Sequence, residues 1–206
     1  MAERAATVNA REDSDAGRLR AASARERLLE AALGRFDVDG PLAATLDDIR
    51  RDAGVSVGAL YHHFPDKAAL AGSLYADIAR QFQLGFLDEL RARAGAEEGV
   101  KAGVRFYLRW VSANRSAAKF LLAGRPDSAE LRDLNRDFFA QALAWWQTHA
   151  HYGALRSLPF DLIHALWLGP AHEYSRHWVA GRSRRVPSEV AEALAEAAWR
   201  ALKEEP

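Results

Sequence analysis

The sequence contains no cysteine. That excludes a disulfide framework, a thiolate metal site and a cysteine nucleophile. Long apolar runs are missing too. No stretch approaches a membrane span, and the opening residues hold no apolar segment of signal-peptide length. The expected location is the cytoplasm, with no membrane partner. Thr, Ile and Val are scarce, and β-branched residues nowhere alternate between turn signals, so strands are not expected. No HExxH, Gly-rich phosphate loop or Gly-x-Ser-x-Gly elbow occurs, so neither an enzyme nor a cofactor site is expected. An excess of either charge is absent as well, with 28 Lys and Arg against 28 Asp and Glu.

What remains is a chain rich in Ala, Leu, Arg and Glu, the composition of a helical protein. Apolar residues recur at helical spacing nearly throughout. Residues 1–20 mix charges of both signs with Ala and read as a disordered arm; the alternative is that Arg18 and Arg20 reach DNA. Ser23 and Glu26 form a capping box for a first helix over 23–37, with Leu28, Leu29, Ala32, Leu33 and Phe36 as its apolar stripe. Gly40 and Pro41 mark the loop that follows.

Residues 45–67, TLDDIRRDAGVSVGALYHHFPDK, carry the most information. Thr45 has the character of an N-cap, with Asp48 at capping-box distance. Leu46, Ile49 and Ala53 make one apolar face. Gly54 ends that helix because it adopts a left-handed conformation without penalty. Ser56 caps a second helix, held by Leu60 and Phe64, and Pro65 stops it. Two short helices about a glycine turn form a helix-turn-helix, whose second helix enters the DNA major groove. Its outward residues are Ser56, Val57, Gly58, Ala59, Tyr61, His62 and His63. Small residues at Gly58 and Ala59 let the helix lie close to base edges, while Tyr61, the histidines and Lys67 face the phosphates. Each of these, taken alone, is equally an ordinary surface residue.

Together, Thr45, Ile49, Ala53, Gly54, Val55, Ser56, Gly58, Leu60, Tyr61, His63, Phe64 and Lys67 resemble the DNA-binding region of the TetR family of transcriptional regulators. The close likeness covers roughly residues 23–75. It implies an all-helical homodimer: an N-terminal three-helix helix-turn-helix domain, then a helical bundle for ligand binding and dimerisation. It also implies phosphate contacts at Thr45, Tyr61, His63 and Lys67, and an approach to bases at Val57, Ala59 and His62. Arg50 departs from the pattern, standing where the family usually packs a small Ala; an outward snorkel of its side chain is expected. On this reading the arm is 1–20, the DNA-binding domain 21–67, and the ligand-binding and dimerisation domain 68–206. The DNA-binding part is slightly acidic: residues 1–67 hold ten Lys and Arg against twelve Asp and Glu.

The rest of the chain reads as further helices. The first runs from Asp66 to about Ala94 along Leu70, Leu74, Ile78, Phe82, Phe86 and Leu90, a natural lever between the two parts. Others are expected over 99–114, briefly after Arg115, from Asp127 to about His151, and from Phe160 to about Ala180 with an interruption at Gly169–Pro170. A last helix starts near Pro187 and presents Val190, Ala193, Leu194, Ala197, Ala198 and Ala201 as a small-residue face. Packing the last two helices against their copies would make a four-helix bundle across a two-fold axis; the alternative is that they only cover their own core. All six Trp lie after residue 100. Aromatic residues at helical spacing are core in the base case. Yet Phe106, Trp110, Trp145 and Trp167 come from three helices and can line an apolar cavity, with Asn114, His149 and His164 as polar contacts. A small, mostly hydrophobic effector is expected there. Two alternatives stay open: a constitutive DNA-binding regulator without effector, and a metal sensor, although the His pairs at 62–63 and 149–151 are poorly spaced for a metal.

Overall fold

The computed structural model describes residues 24–124 and 128–204. The N-terminal arm with Arg18 and Arg20, the cap residue Ser23 and Asp127 lie outside the described residues. Among those described, the fold is all-helical, and the only strand-like feature is an isolated antiparallel bridge between Leu155 and Lys203. The chain divides into two compact units, one ending at Leu74 and the other beginning at Tyr75.

The first unit contains α1 (24–38), the single turn α2 (Gly40–Ala43), α3 (Leu46–Ala53), α4 (Val57–His63) and the first turns of α5 (Lys67–Arg91). Gly40 at φ 79° lets α1 give way to α2 at once, so the expected loop is helical for one turn. Leu28, Ala32 and Phe36 of α1 are buried, as are Ile49, Leu60, Phe64 and Leu70 of the helices that follow. Burying each of the Leu, Ile and Phe side chains among them contributes about 1.5–3 kcal/mol, which is how helices this short persist. Arg25 lies over the Phe64 ring, 6.0 Å from its centroid.

The second unit is built around α6 (Ala96–Ala113), which packs against α7 (Arg115–Ala123), α10 (Gly169–Val179) and α11 (Ala191–Leu202). The end of α5, α8 (Ala129–His151) and α9 (Phe160–Trp167) complete its core. Ser128 caps α8 by accepting from the Leu131 amide at 3.1 Å. The expected helix over 160–180 is two helices: it breaks at Leu168, and Pro170 sits in the first turn of α10, where its missing N–H costs nothing. A 3-10 turn at Pro187–Val190 leads into α11. On α11, Ala191, Ala195, Ala198 and Leu202 face inward, so Ala198 belongs to this chain's own core. Leu194 and Ala201 are half-buried and pack against that core, while Ala193 and Ala197 are exposed on the outer side. Ion pairs pin α11 to α6: Arg105 bonds both carboxylate oxygens of Glu192 at 2.8 Å, and Lys101 reaches Glu196 at 2.6 Å.

Candidate nucleic-acid interface and candidate effector cavity

The helix-turn-helix is assembled by its caps. The Thr45 hydroxyl oxygen accepts from the Asp48 amide at 3.1 Å and donates to the Asp48 carboxylate at 2.6 Å. Gly54 ends α3 in the left-handed region at φ 63°, ψ 37°. Ser56 then caps α4, accepting from the Ala59 amide at 3.2 Å. Arg50 neither packs inward like an Ala nor points away. Its guanidinium donates to the Val55 carbonyl at 3.1 Å and to Asp47 at 2.9 Å, clamping the turn between the two helices. Lys67 also has an internal task, since its ammonium donates to the carbonyls of Leu42 and Ala44, both at 3.0 Å, and so caps α2.

With Leu60 buried, α4 turns its other side to solvent. Val57 and Tyr61, one turn apart, are each 55% exposed, as Val38 and Leu42 of the same unit are to a greater extent. Ser56, Gly58 and His62 are exposed beside them; Ala59 and His63 are half-buried. Gly58 has ordinary helical geometry, and a Cβ built on it would meet nothing within 4 Å. Packing inside the protein therefore does not require glycine there, although glycine in a helix costs about 0.5–1 kcal/mol relative to Ala. Four acids of this unit, Asp39, Asp47, Asp48 and Asp52, are paired within it. Arg35 grips Asp52 with two guanidinium nitrogens and also bonds Asp39, and Arg51 pairs with Asp47 and Asp48. These guanidinium bonds hold Asp52 and Asp47 below the usual carboxylate range.

In the second unit, most of the expected ligand residues are packing residues. Glycine explains why. Gly99 and Gly103 on α6 open a notch into which Trp145 and Trp167 fit, so a Cβ at Gly99 would stand 2.2 Å from Trp145. The two indoles stack, 5.8 Å between centroids, and Trp167 donates its indole N–H to the Val100 carbonyl at 2.9 Å. His149 rests on Trp145 at 4.4 Å. Phe106 occupies the matching notch at Gly85. Asn114 caps α6 by donating to the Trp110 carbonyl at 2.9 Å.

Trp110 and His164 do line cavities, one each. Trp110, with Tyr75, Phe82, Tyr107, Ala118 and His172, borders an apolar cavity of about 170 Å³. His164 borders a second of about 170 Å³, with Phe82, Gln83, Asn135, Phe138 and His172. The two share Tyr75, Phe82, Tyr107, Leu121 and His172. The Tyr107 hydroxyl lies 3.3 Å from His172 Nδ1, and burial pushes its pKa well above the ordinary phenol value. Desolvation lowers the pKa of His164 and of His172, where the nearby Arg176 adds to the effect. A separate surface cleft of about 400 Å³ is bordered by charged side chains, among them Glu173, Arg176 and Arg182.

Residues 28–74 match the family model of bacterial regulatory proteins of the tetR family. Over this segment the chain carries a DNA-binding region of the TetR type. SrpR of Pseudomonas putida, an HTH-type transcriptional regulator, is 39% identical over 66 residues, 32% of this chain and 31% of SrpR. BetI of Escherichia coli, another, is 33% identical over 101 residues, 48% of this chain and 52% of BetI. The chain therefore matches between about a third and about half of the length of those relatives. Its fold extends the likeness. A TetR family transcription regulator from Marinobacter aquaeolei superposes with a TM-score of 0.77 at 20% identity, over 91% of this chain and 100% of that one. FadR from Bacillus subtilis, solved in complex with stearoyl-CoA, gives 0.70 at 17% identity, over 84% of this chain and 96% of FadR.

Sequence reasoning passed over Gln83, Asn135 and His172. The first two did leave a trace. Gln83 falls on the apolar spacing of Ala79, Phe86 and Leu90, and Asn135 on that of Leu131, Phe138 and Ala142. Polar residues on an inward stripe mark a buried polar function more sharply than any tryptophan does.

Proposed function

We propose that the chain is a homodimeric, ligand-responsive transcriptional regulator, most simply a repressor. Residues 21–67 bind DNA and 68–206 serve ligand binding and dimerisation. The observation that carries the reading is the solvent face of α4. Two large side chains, Val57 and Tyr61, stand exposed beside a glycine that the fold itself does not need. On duplex DNA, Val57, Ala59 and His62 approach base edges, with Gly58 allowing close contact. Ser56, Tyr61 and His63 address phosphates. Thr45 and Lys67 sit at the edges of this surface, where their capping bonds also hold the helices in register. A near-palindromic operator follows from two copies related by a two-fold axis, paired through the last two helices, for which the outward Ala193 and Ala197 give close approach. A small, mostly hydrophobic effector enters the second unit and prefers a form with the two α4 helices wrongly spaced, releasing DNA through that difference in affinity. The two cavities are small beside an acyl-CoA, so the effector is a smaller molecule than the one bound to B. subtilis FadR.

The test begins with selecting an operator from random duplexes and measuring affinity by fluorescence anisotropy. Tyr61→Ala is expected to weaken binding roughly tenfold for every sequence, the effect of losing a charge-assisted phosphate contact. Its fold is expected to be unchanged, since the side chain is 55% exposed. Wild-type affinity in that variant would remove Tyr61 from the interface.

A further inference from the structure

Gln83 on α5 is 7% exposed, and its Nε2 donates to Asn135 Oδ1 on α8 at 2.8 Å. The other half of each amide is unmatched: Gln83 Oε1 and Asn135 Nδ2 are buried without a hydrogen-bond partner. Turning both amides over changes nothing in kind, because one acceptor and one donor stay open either way. Open polar atoms in an apolar setting destabilise the protein that holds them. Leucine at both positions would continue the apolar stripes of α5 and α8 and remove that cost.

Both residues line the second cavity. The open atoms are covered in this conformation; the terminal torsion of a side-chain amide is broad, and a turn about it is what ligand binding requires of the pair. No Asp, Glu, Lys or Arg lines this cavity or the adjoining one. A charged ligand would find no counter-charge there. An apolar cavity of about 150 Å³ holds one benzene. Two adjoining cavities of about 170 Å³, sharing Phe82 and Tyr107, suit a body of two rings.

We propose that Gln83 and Asn135 form the polar recognition pair for the effector, and that they select an uncharged, two-ring aromatic molecule carrying one primary-amide-like group. The donor and acceptor of that group match the open acceptor and donor of the pair, while Phe82, Tyr107 and Trp110 hold the rings. This inference rests on the ligand-gated reading and narrows it to a ligand class.

Three probes of nearly equal size test it on the full chain at neutral pH: 2-naphthamide, 2-naphthoate and naphthalene. Binding is followed by calorimetry and by quenching of tryptophan fluorescence. The amide is expected to bind roughly tenfold or more tighter than either of the others. In a Gln83→Leu/Asn135→Leu double variant that preference is expected to vanish while naphthalene still binds. The melting temperature of the unliganded variant is expected to be equal or higher, since a pair kept for recognition is not kept for stability. Wild-type protein that binds the amide no tighter than naphthalene overturns the proposal, as does a double variant that melts markedly lower. Operator anisotropy separates this from the broader reading. If the amide shows its preference yet no bound probe changes operator affinity, the recognition pair stands and the ligand-gated function loses its support.

Discussion

Gly58 is the residue at which folding and the proposed DNA binding pull in opposite directions. Nothing lies within 4 Å of the Cβ it lacks, and its backbone is ordinary helix. Gly58→Ala is therefore expected to stabilise the fold by about 0.5–1 kcal/mol, because the unfolded chain loses freedom. The same change is expected to weaken operator binding, because the new methyl stands on the DNA-facing side. Urea denaturation and anisotropy on one preparation check both signs; a gain in stability with unchanged affinity would take Gly58 off the interface. Residue roles of this kind were legible in the sequence wherever a local rule applied. Thr45, Gly54 and Ser56 act as caps and turn residue because capping depends on a few neighbouring atoms. Arg50 and Lys67 were not legible in the same way. Their internal partners, the carbonyls of Val55, Leu42 and Ala44, are chosen by how the chain folds back, and Lys67 reaches 25 positions to Leu42.

At the scale of elements, helix periodicity placed most helices, and the small residues decided how those helices meet. The notch at Gly99 and Gly103 lets α8 and α9 bring Trp145 and Trp167 against α6. That is why these two aromatic residues are core, as Phe106 is against Gly85, while Trp110 borders a cavity. Composition cannot tell these cases apart, because each depends on a glycine of another helix. Gly99→Ala is expected to cost about 1–3 kcal/mol through overpacking, since the added carbon would lie 2.2 Å from the Trp145 ring. Thermal unfolding followed by tryptophan fluorescence measures it, and an unchanged midpoint would show that the notch is not needed. The division at Leu168 was foreshadowed by Gly169–Pro170. The two faces of α11 were not foreshadowed, because alanine recurs on both.

Over the whole molecule, balanced charge shapes both stability and recognition. The 28 cationic and 28 acidic side chains leave the proposed DNA binding dependent on placement rather than on net attraction. Stability is expected to depend on pH through two sets of groups. His149, His164 and His172 have pKa values lowered chiefly by desolvation, so the unfolded chain binds their protons more readily than the folded one. Their contribution is intact above the unfolded imidazole value near pH ~6.5 and is lost as the pH falls below it. Asp47, Asp52, Glu192 and Glu196 are lowered chiefly by hydrogen bonds from Arg50, Arg35, Arg105 and Lys101 respectively; their contribution persists to about pH 4 and is lost below. Urea midpoints are thus expected to fall from pH ~7 to ~5 and again below ~4. A midpoint that rises between pH ~7 and ~5 would contradict the histidine assignment. The most direct test of the account is hydroxyl-radical footprinting of the wild-type protein on its selected operator. The account predicts two protected patches on one face of the duplex, centred about one helical turn or a whole multiple of it apart, and both fading together in Tyr61→Ala. A single patch, or protection that survives in Tyr61→Ala, would contradict it.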